Sequence, residues 1–260
     1  MNFIRVIYST LKLQMKNSFA RPMYRFCLVA SPIVNTILLY HMFLNSNMDN
    51  FTTYVMLGAG LMGLWSCICF SSAGDINRER FSGTLSLIYV TPTSFGVILL
   101  GKVIGNTILS FVSLVISFLT AVLLYQAPIH IEEMGYLMLS IFAAMLCFIT
   151  ISILIAYLLT LSRKTQLYMN CIEVPIIFVC GFLFPVEILP SWVQPISYIL
   201  APTWAVKLIR LSVSGFTDSL VYFKTLGILC FLTIMYTIGI LMLYKVIDRE
   251  VRIRASLELS

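Results

Sequence analysis

Charge is what this sequence has least of. Asp, Glu, Lys and Arg make up 11% of its 260 residues, and hydrophobic residues make up 60%. Soluble domains carry about 25% charged residues. A chain so poor in charge cannot cover a water-facing surface, so its composition is that of an integral membrane protein. Metal and redox signatures are missing too. The seven cysteines all sit in apolar runs, with no CxxC and no histidine at zinc spacing. They read as small buried hydrophobes, with no disulfide and no metal expected. HExxH, GxSxG and carboxylate–histidine groupings are absent, so the chain is not expected to be an enzyme by itself. One near miss occurs at Gly96 to Val103, GVILLGKV, which follows the GxxxxGK spacing of a phosphate-binding loop. Val103 stands where a Ser or Thr hydroxyl must reach magnesium, and no strand precedes the stretch. No cofactor and no nucleic acid is therefore expected on this chain. The first 25 residues hold neither an unbroken apolar core nor a small-residue cleavage site, so no cleavable leader is expected. Neither an internal repeat nor a linker divides residues 1–260, which are expected to form one transmembrane domain.

What is present is apolar sequence in blocks. Six runs, 26–44, 51–73, 96–125, 135–161, 167–186 and 220–247, predict an all-α membrane fold of six transmembrane helices. The first of them reaches about 28 Å at the helical rise, close to the hydrocarbon thickness. Residues 2–19 are different. Ile4, Ile7, Tyr8, Leu11, Met15, Ser18 and Phe19 recur at helical spacing, with Arg5, Lys12 and Lys16 beside them. Such a helix is expected to lie among lipid headgroups, although packing on a partner would use the same pattern. Gly58, Gly60 and Gly63 mark a close approach to a neighbour or another subunit. Between the fifth and sixth runs, Pro190, Pro195 and Pro202 break the chain into short pieces, and Trp192, Tyr198 and Trp204 are interfacial residue types. That segment predicts a re-entrant helical hairpin on the far face. All but three of the seventeen Lys and Arg, the exceptions being Lys207, Arg210 and Lys224, fall on the side that holds both termini. The positive-inside rule makes that side cytoplasmic.

Few residues are candidates for function. Asp75, Arg78, Glu79 and Arg80 fall within six residues, in an island at 74–95 between apolar runs. Asp75 or Asn77 could cap a short helix there, and Thr91-Pro92 could end it. The island would give a cytosolic partner a handle. Lys102 lies within reach of the same face. Glu173 is the single acid well inside an apolar run. It would either pair with Arg163, Lys164 or Lys102 or serve a transported ion. His41 and the adjacent Glu132 and Glu133 read as interfacial and water-facing side chains.

Two stretches resemble one family. INRERFSGTLSLIYVTPTSFGVILLGKVIG (76–105) and GFLFPVEILPSWVQPISYILAPTWAVKLIR (181–210) are similar to the segments after the second and fifth spans of type-2 ABC transporter permeases. The resemblance implies a coupling helix at 75–87, with Asp75, Arg78, Glu79, Arg80, Gly83 and Thr84 at the docking positions. Ser86 departs from the Glu often found in the family. It also implies an extracellular hairpin at 188–211, with Pro185, Pro190, Trp192, Pro202 and Trp204 at the exit. The expected partners are two cytosolic ATP-binding subunits, which use ATP and Mg, together with membrane lipid and a second permease copy or a sister permease. The expected setting is a bacterial plasma membrane. The expected activity is export of an amphipathic cargo: a drug, an antimicrobial peptide, a lipid or a lipid-linked glycan. A self-sufficient carrier using Glu173 and a non-transporting anchor or sensor remain open beside it.

Overall fold

The computed structural model describes residues 3–43, 51–83, 95–125, 134–160, 165–215 and 219–258. Among them all regular structure is helical. The helix α1 (Phe3–Ala20) leads into α2 (Pro22–Arg25), a π-helical stretch at Phe26–Ala30 and α3 (Ser31–Phe43). Then come α4 (Phe51–Phe81), α5 (Phe95–Ser110), α6 (Val112–Tyr125), α7 (Met134–Thr160) and α8 (Thr165–Val179). A 3₁₀ turn at Val186–Ile188, α9 (Gln194–Ile199), α10 (Ala201–Ser214) and α11 (Ser219–Glu258) complete the chain.

Among the described residues four helical stretches are long and apolar enough to cross a membrane: Pro22–Phe43, Gly96–Tyr125, Met134–Leu159 and Ser219–Leu243. Two shorter apolar stretches, Val55–Ser71 and Leu167–Val179, lie in α4 and α8. The expected run at 167–186 stops being helical earlier, because Gly181 takes φ 74 and turns the chain. Bends elsewhere have local causes. The π-helical stretch comes just before Pro32, which has no N–H for the carbonyl of Leu28. Between α5 and α6 the helix tightens at Phe111, whose carbonyl accepts from Leu114 at 3.1 Å.

The α2–α3 rod, α4 and α6 interlock through small residues. A Cβ on Gly60 would lie 2.8 Å from Leu114, and one on Gly63 would strike the Ser113 hydroxyl. Ser113 donates to the Gly60 carbonyl at 3.1 Å, and Ser117 donates to that of Met56 at 2.8 Å. Thr36 and Ser117 share a hydrogen bond of 2.8 Å. These glycines therefore serve helix contacts within the chain. On the other side of α4 the core is aromatic. Trp65 is fully buried, with its ring 6.3 Å from Phe148 and 6.1 Å from Phe182. Beyond it, α7, α10 and α11 are clipped together where Ser140 meets Ser212 and Tyr222, the latter at 2.9 Å.

Candidate functional site at the base of the second and third helices

The charged island does not begin a new helix. Residues 51–81 form one helix, and its end comes where Ser82 donates to the Arg78 carbonyl at 2.8 Å and Gly83 takes φ 66. That is a left-handed glycine terminus. The expected boundary near Gly74 is absent because a single glycine is tolerated inside a helix. The Arg21 Nη1 lies 3.8 Å from where a Cβ on Gly74 would stand, an ordinary contact distance.

Asp75 accordingly is no cap. It is 7% exposed and bound on both oxygens. Oδ1 is paired with the Arg21 guanidinium. Oδ2 accepts from Gln14 Nε2 at 2.6 Å and from Asn106 Nδ2 at 2.8 Å. Ser18 donates to Asn106 Oδ1 at 2.6 Å, and Gln14 reaches the same oxygen at 3.3 Å. Tyr24 closes the far side on the Asn106 carbonyl and on Ser110, each at 3.4 Å. One turn along α4, Glu79 is paired with Lys102 of α5. Arg78, Ser82 and Gly83 are exposed. The side chain of Arg80 and all of Thr84 lie outside the described residues, as do residues 84–87 of the expected coupling helix.

The same base holds α1. A Cβ on Gly101 would strike the Thr10 hydroxyl and lie 3.0 Å from the Ile7 carbonyl; one on Gly105 would lie 3.0 Å from the Leu11 carbonyl. Thr10 beside Gly101, Gln14 and Ser18 beside Asn106, and Tyr24 beside Ser110 advance together along both helices. So α1 leans along the base of α5 in the same direction. Of the expected apolar face, Ile7, Leu11, Met15 and Ser18 turn inward or partly inward. Ile4, Tyr8 and Phe19 stay exposed beside Arg5, Lys12 and Lys16. Sequence reasoning singled out Asp75 but missed Gln14, Arg21 and Asn106 as its partners. The available signal was a polar stripe of Thr10, Gln14 and Ser18 at one-turn spacing, facing the Gly101–Gly105 pair and Asn106.

A model of the family described as ABC-2 type transporter matches residues 5–214, from α1 through α10. The chain belongs to that family. Comparison with curated proteins returns no match. As an ABC-2 type permease it is a multi-pass membrane subunit of an ABC transporter, and the family is that of the membrane component rather than of the ATPase.

The other expected residues of this ABC-2 permease lie elsewhere. Glu173 is half-buried on α8, and its backbone carbonyl accepts from Trp65 Nε1 at 3.2 Å. Among the described residues no ion pair reaches its carboxylate. Lys102, one of its three expected partners, is paired with Glu79; Arg163 and Lys164 lie outside the described residues. In the hairpin region, Pro185 precedes the 3₁₀ turn, and Pro195 and Pro202 occupy the first turns of α9 and α10. A proline is tolerated there because the N–H it lacks has no helical partner. Trp204 donates to the Tyr198 carbonyl at 2.8 Å, and the Lys207 ammonium sits 5.7 Å from its ring centroid. Trp192 is 74% exposed and Pro190 is exposed beside it. Arg210 donates to the Phe182 carbonyl at 2.7 Å, which ties α10 to the turn after α8.

Proposed function

We propose that this permease is the membrane-spanning part of an ATP-driven exporter, in which α4 ends as the lever that cytosolic ATP-binding subunits push. The support is one observation. A single helix carries the Trp65 core at its middle and, at its end, the exposed residues Arg78, Ser82 and Gly83. Force on such an end reaches the core without crossing a hinge. In this reading the apolar stretches of α4 and α8 complete six spans, both termini are cytoplasmic, and the membrane is a bacterial plasma membrane. ATP and Mg act in two partner subunits, and two permease copies, or this permease and a sister, enclose the pathway. The hairpin at 188–211 narrows the exit. An amphipathic cargo, whether drug, antimicrobial peptide, lipid or lipid-linked glycan, suits a bundle whose inner polar groups are mostly hydroxyls and amides.

The deciding experiment purifies the chain from its native membrane and asks for an ATP-binding subunit and ATP-dependent flux. Arg78→Glu should keep membrane insertion while lowering ATPase association at least 10-fold. Glu79 is the weaker site for this test, because reversing it also breaks the bond to Lys102. Flux that needs no ATP and disappears in Glu173→Gln would replace this reading with a self-sufficient carrier. Association without flux would replace it with an anchor or sensor.

A further inference from the structure

Among the described residues, Glu173 is the one acid inside an apolar stretch, and no ion pair reaches its carboxylate. Its depth follows from Trp65, whose Nε1 donates to the Glu173 carbonyl. Trp65 lies about 9 Å along α4 from Ser71, where the apolar stretch of that helix ends. The cations of this chain are engaged or distant. Arg21 and Lys102 are held by Asp75 and Glu79, and Arg210 by the Phe182 carbonyl. Arg163 and Lys164 precede α8, whose first residue, Thr165, is about 12 Å from Glu173 along the helix. Arg25 is exposed. An ionised carboxylate at that depth is costly unless a cation faces it. What lies before it is a groove. On α4, Gly63 faces Pro32 of the first span, and Trp65 faces α8. Between those two directions Met62, Ser66 and Phe70 recur at one-turn spacing and are only partly buried. Cys27 of the first span is partly buried as well. Cys27, Cys67 and Cys69 all feel the Glu173 charge, which puts the carboxylate over this strip of α4.

We propose that this groove binds the cargo and selects an amphipathic cation, with Glu173 as its counter-ion and Met62, Ser66 and Phe70 as its floor. Lipid tails cannot supply the missing charge. A twofold axis at the groove would bring a second Glu173, which adds a like charge instead of neutralising the first. A molecule that joins a cation to an apolar body satisfies both the carboxylate and the Met62–Phe70 strip. The cargo is then a lipophilic cation, not an anionic lipid or a lipid-linked glycan. Its transport rests on the exporter reading above, whereas its binding requires no ATP-binding subunit.

The test uses the full permease in nanodiscs of phosphatidylcholine and a matched pair of probes. Tetraphenylphosphonium and tetraphenylborate share size and apolar surface and differ in the sign of their charge. Equilibrium dialysis measures binding above that of empty nanodiscs. Tetraphenylphosphonium should bind saturably, weaken at least about 10-fold in Glu173→Gln, and recover most of that loss in Glu173→Asp. Tetraphenylborate should show no saturable binding. Absence of saturable tetraphenylphosphonium binding, a preference for tetraphenylborate, or equal affinity in Glu173→Gln overturns the proposal; a protonated Glu173 would give the last of these. If Glu173→Gln does not fold, Ser66→Phe fills the strip while keeping the charge and should weaken binding comparably, and unchanged affinity there overturns the proposal. Combined Arg25→Gln, Arg163→Gln and Lys164→Gln should leave the affinity as it is. A gain of about 10-fold would show that one of these cations already occupies Glu173, and that too overturns it. If no ATP-binding subunit associates with the chain, the exporter reading fails separately, and the dialysis measurement still decides the site.

Discussion

At the scale of single residues, what separates the glycines is their surroundings. Gly101 has α1 against it, with the Ile7 carbonyl 3.0 Å from a would-be Cβ, whereas Gly239 has nothing within 4 Å. Gly101→Val should therefore cost about 1–3 kcal/mol through forced separation of α1 from α5. Gly239→Ala should be neutral or stabilising by up to about 1 kcal/mol, since it improves helix propensity in open space. Thermal melts of the two variants in the same detergent check the contrast. Arg21→Ala should be costlier, about 3–5 kcal/mol, because Asp75 keeps its charge and loses its cation. Arg21→Lys should recover part of that loss. Little of this was legible beforehand. Asp75 looked like a helix cap because it stands at the edge of an apolar run, and a cap is judged from its neighbours in sequence. Its actual partners are 61, 54 and 31 residues away.

At the scale of elements, the decisive one is α4. The apolar run was visible, and so was the charged island, but the change in composition between them suggested two elements. The structure joins them because nothing between Ser71 and Phe81 breaks backbone bonding, and inward side chains change from apolar to hydrogen-bonded without changing helix face. The true stop is Gly83, where φ 66 suits glycine and penalises any residue with a Cβ. Gly83→Ala should cost about 1–2 kcal/mol at the helix end. It should raise amide exchange over 78–83 and leave the Trp65 region untouched. The broken segment after the fifth run was more legible, since Pro195 and Pro202 fall at the first turns of α9 and α10, where proline chemistry allows them. Its attachments were not. The bond from Arg210 to the Phe182 carbonyl and the meeting of Ser140 with Ser212 and Tyr222 join residues from different helices. Trp204→Phe keeps an aromatic side chain but shortens the ring system and loses the bond to Tyr198, for an expected cost of at least about 1 kcal/mol, measurable as a lower melting temperature.

At the scale of the whole molecule, the outward faces are large and apolar. Leu123, Met138, Phe231, Leu241 and Met242 are each more than half exposed, which suits a lipid-covered surface. With both apolar stretches of α4 and α8 spanning, tags at the two termini should be cleaved by protease from the same side of sealed vesicles. Cleavage from opposite sides would mean an odd number of crossings. Membrane residence and helical class were readable in advance from the sequence, and the charge distribution set an expectation for sidedness. Each follows from transfer free energies and charge distribution, which accumulate residue by residue along the chain and need no knowledge of neighbours in space. What only the tertiary structure decided is which charges face inward. Asp75 and Glu79 are used up inside the molecule, while Arg78, one helical position from Glu79, remains outside. That outcome depends on where α1 and α5 come to rest. A hydrogen bond in a low-dielectric interior is set by partners that meet only after the helices have packed.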